Sequence, residues 1–60
     1  MLEIVWLNTT EAADMLGITP RTLYRLINAG DVPAYRMGRV IRLQRAEVLE
    51  YIERSRIEPT

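Results

Sequence analysis

Apolar residues recur at different periods along this chain, and each change of period marks a new element. Glu3 to Leu7 (Glu-Ile-Val-Trp-Leu) is a short extended run, read as an edge strand or as an arm lying on the core. Asn8-Thr9-Thr10-Glu11 is a capping box, with Asn8 as the cap and Glu11 at the third helical position. It predicts a first helix over Thr9–Leu16, with Ala12, Ala13 and Leu16 as its inner stripe, Met15 nearby and Gly17 at its end. Thr19-Pro20 restarts the chain as a helix, threonine as cap and proline at the first helical position. This second helix is predicted from Pro20 to Ala29 and is closed by Gly30. Leu23, Leu26 and Ile27 face inward, and Ile18 before the cap staples to Leu23 after it.

Beyond Gly30 the period shortens. Asp31-Val32-Pro33 reads as a linker, followed by two short strands over Ala34–Met37 and Val40–Leu43. Gly38-Arg39 joins them as a two-residue loop, and glycine in its first place suits a type II′ turn. That register pairs Met37 with Val40, Arg36 with Ile41, Tyr35 with Arg42 and Ala34 with Leu43. Ile41 and Leu43 share the core face, and Arg36 lands on it too, so Arg36 is expected beyond the core's edge with its head in solvent or on a phosphate. A third helix is predicted over Arg45–Arg54. Leu43 and Val48 staple its start, Glu47 takes its third position, and Val48, Tyr51, Ile52 and part of Leu49 form its buried stripe. Residues 55–60 are a polar tail and residues 1–7 an N-terminal arm. The lone tryptophan, Trp6, reads first as a buried side chain closing a small core, and otherwise as an exposed contact for a second protomer.

One spacing stands out within this pattern. Ala13, Gly17, Leu23 and Leu26 are the packing skeleton of a helix-turn-helix. The small residue lets two helices approach, the glycine supplies a left-handed turn, and the aliphatic side chains fill the crossing angle. The fold class expected is mainly α with a small β-hairpin, a winged helix-turn-helix built as one domain over residues 1–60. Such a chain buries a modest share of its surface.

Composition narrows the chemistry. The chain has no cysteine and no histidine, which removes disulfides, thiolate metal sites, the commonest metal ligand and the usual general base. No cofactor and no metal are expected. No carboxylate pair, phosphate-cradling glycine loop or nucleophile–base set is visible, so the chain does not read as an enzyme. No apolar run approaches membrane-spanning length and Met1-Leu2-Glu3 lacks a basic start, so the protein is expected in the cytoplasm with no membrane partner.

The formal net charge is zero, yet its distribution is uneven. Every basic residue is arginine. Arg21, Arg25, Arg36, Arg39, Arg42 and Arg45 crowd the stretch from Thr19 to Arg45 against Asp31 alone, while the flanking segments are acidic. Phosphates respond to a local face rather than to a molecular total, so the basic block points to duplex DNA. The second helix carries Arg21, Tyr24, Arg25 and Asn28 on the face opposite its apolar stripe.

Arg21 and Arg25 are the candidates for base or phosphate contact, since arginine reads guanine through paired hydrogen bonds in the major groove. Thr19 and Thr22 sit where free N–H groups and the helix dipole favour a phosphate, with simple capping as the alternative. Tyr24 suits a sugar, a phosphate or a thymine methyl, with packing over the wing as its alternative. Asn28 reads as structural or solvated. Arg39 at the turn tip is placed for the minor groove, and Arg36 and Arg42 flank it as phosphate grips. Arg45 either joins them or only starts the last helix.

Several stretches appear together and in order: Thr10-Glu11-Ala12-Ala13, Leu16-Gly17-Ile18-Thr19, Thr22-Leu23-Tyr24-Arg25-Leu26-Ile27, Gly30, Pro33 to Arg39, and Glu47-Val48. As a set over about Leu7 to Glu53 they resemble the excisionase-type winged-helix family, related to the DNA-binding domain of MerR-like regulators. The chain departs from that pattern at Ile41, where an aromatic is common, and at Val40, where a basic residue is common. The resemblance implies major-groove binding by the second helix and minor-groove or backbone contact by the wing. It also implies a role as a phage recombination directionality factor beside a separate integrase, as a small transcription regulator, or as the DNA-binding head of a longer protein. A module this small buries little DNA surface, so cooperative self-association on neighbouring sites or an assisting partner is expected. A protein-interaction module, with the helix-turn-helix as scaffold only, is the rival from another class.

Overall fold

The computed structural model describes residues 3–59, so Met1, Leu2 and Thr60, the ends of the expected arm and tail, lie outside it. The elements run β1 (Trp6–Leu7), α1 (Thr9–Leu16), α2 (Pro20–Asn28), β2 (Tyr35–Met37), β3 (Val40–Gln44) and α3 (Arg45–Arg54). Three helices pack with a small antiparallel sheet in the strand order β1-β3-β2, a winged helix-turn-helix.

Local chemistry explains the boundaries of α1 and α2. At the start of α1 the Glu11 N–H donates to Asn8 Oδ1 at 2.8 Å, and the Asn8 N–H donates to Glu11 Oε1 at 2.9 Å. The capping box thereby satisfies two amides that the helix itself leaves free. Gly17 ends α1 at φ 69°, and the Gly17 and Ile18 N–H groups donate to the Asp14 and Ala13 carbonyls. This is a Schellman motif, and its left-handed residue is one that a side chain would strain. The α2 cap is Thr19, whose Oγ1 accepts from the Thr22 N–H at 3.2 Å. The same pair of Schellman bonds closes α2 through Gly30 and Asp31 onto Ile27 and Leu26. The helix proper stops at Asn28, one residue before the expected end, with Ala29 as its cap.

The hairpin has the expected register, with Tyr35 opposite Arg42, Arg36 opposite Ile41 and Met37 opposite Val40. Gly38 has φ 63° and among the described residues no non-glycine residue, Arg39 included, has positive φ, the sign pattern of a type II′ turn. Arg36 is exposed, beyond the core's edge as expected. The first extended run supplies an edge strand of the sheet, the first of its two expected readings. Trp6 and Leu7 pair with Gln44 and Leu43, and the Arg45 N–H donates to the Val5 carbonyl at 2.9 Å.

The core gathers one residue or more from nearly every segment: Leu7, Ala12, Ala13, Leu23, Val32, Leu43 and Val48. Met15, Leu16, Ile18, Leu26, Ile27, Ala34, Ile41 and Tyr51 pack against it half-buried. Ala12 and Ala13 are fully enclosed because α1 lies against both α2 and α3, and only small side chains permit that approach. Three readings of the sequence need correction. Val32, taken as linker, is 1% exposed and is a core residue, carried inward by the turn that closes α2. Ile52 is 39% and Leu49 41% exposed, because α3 has neighbours on one side only and its apolar stripe is wider than the surface that covers it. Trp6 does not close the core. It stands on the outer face of the sheet at 37% exposure, its ring edge-on to Tyr35 at 5.3 Å between centroids.

Candidate nucleic-acid interface

The turn after α1 sets the attitude of α2. Leu23 is fully buried behind it, and Leu26 and Ile27 are half-buried on either side. That fixes the opposite face outward. Arg21, Tyr24, Arg25 and Asn28 all lie exposed on it, within one stripe of helical spacing. Tyr24 is 43% exposed, so it is not packed away beneath the wing. Thr19 is exposed at the helix start, whereas Thr22 is half-buried and its Oγ1 accepts from the Thr19 hydroxyl at 3.1 Å. The capping role of Thr19 is therefore visible in the geometry. Its hydroxyl and that of Thr22 are already coupled to one another at the positive end of the helix dipole.

The wing supplies the second cluster of cations. Arg39 occupies the exposed turn and Arg36 the exposed strand before it. Arg42 is half-buried, and its Nη1 donates to the Ile41 carbonyl at 3.1 Å, a contact that holds the guanidinium close to the ribbon. Arg45 is exposed at the first turn of α3. Among the described residues the ion pairs are those of Arg56 with Glu53 and Glu58, at the end of α3 and in the tail, far along the chain from this face. The arginines from 21 to 45 thus carry charge that no carboxylate neutralises within the described residues.

Two polar contacts went unread in the sequence. The Tyr35 hydroxyl donates to Glu47 Oε1 at 2.9 Å, joining the wing to the first turn of α3. This hydrogen bond to the carboxylate, with some burial and the carboxylate's charge, raises the Tyr35 hydroxyl above its ordinary pKa of 10.0. Glu47 is therefore a helix-start residue that also anchors the wing. At the other end of α3, Arg54 Nη2 donates to the Asp31 carbonyl at 3.2 Å, and the Arg54 guanidinium lies 5.9 Å from the centre of the Tyr51 ring. These ties fix the loop before the wing and the wing base to one helix. The hairpin register put Tyr35 on the outer face beside Arg42, which was the available signal for the first of them.

Most acidic residues lie on other elements, Glu11 and Asp14 on α1 and Glu50 and Glu53 on α3, while Asp31 precedes the wing and Glu47 accepts from Tyr35 at its base. Among the described residues no group of acidic, histidine or cysteine side chains comes together to hold a metal ion, and no helix is long and apolar enough to cross a membrane.

Comparison with known proteins agrees with this architecture. The family of helix-turn-helix domains matches residues 6–56. An uncharacterised protein of Mycobacterium tuberculosis and one of Mycobacterium bovis are each 44% identical over 50 residues, which is 83% of this chain and 44% of theirs. A second protein of Mycobacterium tuberculosis, named as a candidate DNA-binding protein, is 35% identical over 49 residues, 82% of this chain and 63% of its own. The chain thus spans less than half the length of the first two relatives. No solved structure matches it at comparable significance. The capped helices, the glycine turn between them and the extent of the match lead to one assignment: the chain belongs to the helix-turn-helix domain family.

Proposed function

We propose that this protein binds double-stranded DNA sequence-specifically and performs no chemistry on it. The observation that carries the proposal is the outward face of α2, where Arg21, Tyr24 and Arg25 stand exposed opposite a fully buried Leu23. In this reading α2 enters the major groove and Arg21 and Arg25 contact bases or phosphates. Thr19 and Thr22 meet a phosphate at the helix start. Arg39 reaches the minor groove while Arg36 and Arg42 hold the adjacent backbone. The name of one relative, a candidate DNA-binding protein, supports the same reading.

The biological role that we infer is that of an excisionase, which shapes an attachment site so that a separate integrase runs toward excision. Several copies would occupy neighbouring sites, since one small module covers little DNA. A small MerR-like transcription regulator is the second reading. The relatives favour it, because they extend well beyond the matched region and so have room for a further segment. Either role places the protein with DNA in the cytoplasm.

Footprinting across the chain's own genomic neighbourhood separates the two roles: protection of an attachment site beside an integrase gene supports excisionase, and protection of a promoter supports a regulator. Gel-shift titration on the footprinted duplex then tests the face. Arg25→Ala is expected to weaken specific binding by about 1–3 kcal/mol, and Arg39→Ala to weaken it with less change in sequence preference. An unchanged affinity for Arg25→Ala removes α2 from the interface. Binding of a protein partner with no DNA affinity at any salt concentration returns the protein-interaction module.

A further inference from the structure

Two exposed apolar side chains stand at the tip of the wing. Met37 and Val40 are each 43% exposed and oppose one another as the last pair before the turn. A directly opposed pair holds neighbouring positions on one face of its ribbon, so the two make a single apolar knob. Cations flank it. Arg39 is in the turn and Arg42 lies two residues beyond Val40 on the same face of β3, while Arg36, one residue before Met37, stands on the opposite face of β2.

Tyr24 lies between Arg21 and Arg25 in the α2 stripe already assigned to the interface, Trp6 packs on Tyr35 on the sheet face of Arg42, and the remaining exposed apolar side chains have different company. Ile4 and Val5 follow Glu3, Leu49 and Ile52 share α3 with Glu50 and Glu53, and Ile57 precedes Glu58. Carboxylates there repel phosphate. Among the described residues only the wing tip carries a cross-strand pair of exposed apolar side chains flanked by arginines, Arg39 in the turn and Arg42 on the same face. That arrangement is complementary to a minor groove, which has phosphates along its two rims and sugars and base edges between them.

We propose that Met37 and Val40 form a wedge that enters the minor groove beside Arg39, presses on the deoxyribose and base edges of one step, partly unstacks it and bends the duplex. The proposal rests on the DNA-binding reading above. Methionine suits the task because its unbranched side chain adapts to an irregular surface. Val40 stiffens the ribbon behind it as a β-branched strand residue. The arginines hold the groove walls while the apolar pair does the unstacking, so affinity and bending come from different side chains.

The test uses the footprinted duplex with fluorophores at its ends, and a second copy with 2-aminopurine at successive steps across the wing's footprint. Energy transfer is expected to report a bend within the range of about 20–90° for the wild-type protein, and 2-aminopurine emission to rise at one step. The double variant Met37→Gln, Val40→Thr, checked for folding by circular dichroism, is expected to lose at least about half of that bend while binding within about tenfold of wild type. An equal bend by variant and wild type, or a duplex that stays straight with no rise in emission when wild type is bound, overturns the wedge and leaves DNA binding standing. Should the variant not fold, the 2-aminopurine signal of the wild-type complex decides alone. Absence of any wild-type footprint instead overturns the DNA-binding reading.

Discussion

Leu23→Ala probes the link between core and interface. Leu23 is 0% exposed and lies on the inner side of the helix whose outer side carries Arg21 and Arg25. Truncation removes three carbons, or about 2.4 kcal/mol at roughly 0.8 kcal/mol for each buried methylene. The cavity left between α1 and α2 adds to this, since Ala12 and Ala13 are too small to collapse into it, and the expected loss is about 3–4 kcal/mol. A chain of 60 residues has a total stability of about 3–9 kcal/mol at typical values per residue. The substitution therefore removes a third or more of it. Urea unfolding followed through Trp6 emission reads the change, because the indole packs on Tyr35 in the folded state and loses that contact on unfolding. Leu49→Ala, at a site 41% exposed on α3, is the control and is expected to cost under about 1 kcal/mol. A loss below about 1 kcal/mol for Leu23→Ala, or equal losses for the two variants, would show that α2 is not held by this packing.

Gly17→Ala isolates the turn. An added Cβ meets nothing within 4 Å, so the expected destabilisation of about 1–2 kcal/mol comes from the left-handed backbone at φ 69° alone; a variant as stable as wild type in the same urea assay contradicts this. Tyr35 gives a pH signature. Its raised pKa means that the protonated hydroxyl is the form the fold favours, so this contribution is complete below pH 10 and is lost as pH rises through the folded-state value. Absorbance titration at alkaline pH is expected to show one tyrosine ionising later in the folded protein than in the unfolded chain, and Glu47→Gln to advance it; no difference between folded wild type and Glu47→Gln removes the Tyr35–Glu47 contact from the account.

The helices were legible because their ends are written in residues with one strong local use. Asn8 with Glu11, Thr19 with Pro20, and Gly17 each satisfy or free specific backbone groups within a few residues. The hairpin register was legible for the same reason, since a two-residue turn with glycine first leaves one pairing. What the sequence hid depends on neighbours distant in the chain. Val32 is buried because the α2 closing turn swings it under the core, and no periodicity marks a single residue between two turns. Trp6 is exposed because strand pairing of Leu7 with Leu43 fixes which of two adjacent side chains faces inward, and Leu7 takes that place. Helical period located the apolar face of α3 but not the width of its covering, which is why Leu49 and Ile52 stay exposed. The candidate site was legible as a pattern, because the outward stripe of α2 follows from its inward one. The coupling of Thr19 to Thr22 and of Arg42 to the ribbon's own carbonyl was not, since both depend on rotamers rather than spacing.

The account rests on arginines that meet phosphate, and the salt dependence of binding tests that most directly. Each phosphate neutralised on duplex DNA contributes about −0.9 to the slope of log affinity against log salt concentration. With Arg21, Arg25, Arg36 and Arg39 exposed and free of ion pairs among the described residues, a titration on the footprinted duplex is expected to give a slope of about −3 to −4. Arg36→Ala should make it shallower by about one. A slope near zero, or one that none of these arginines alters, would contradict the proposed interface.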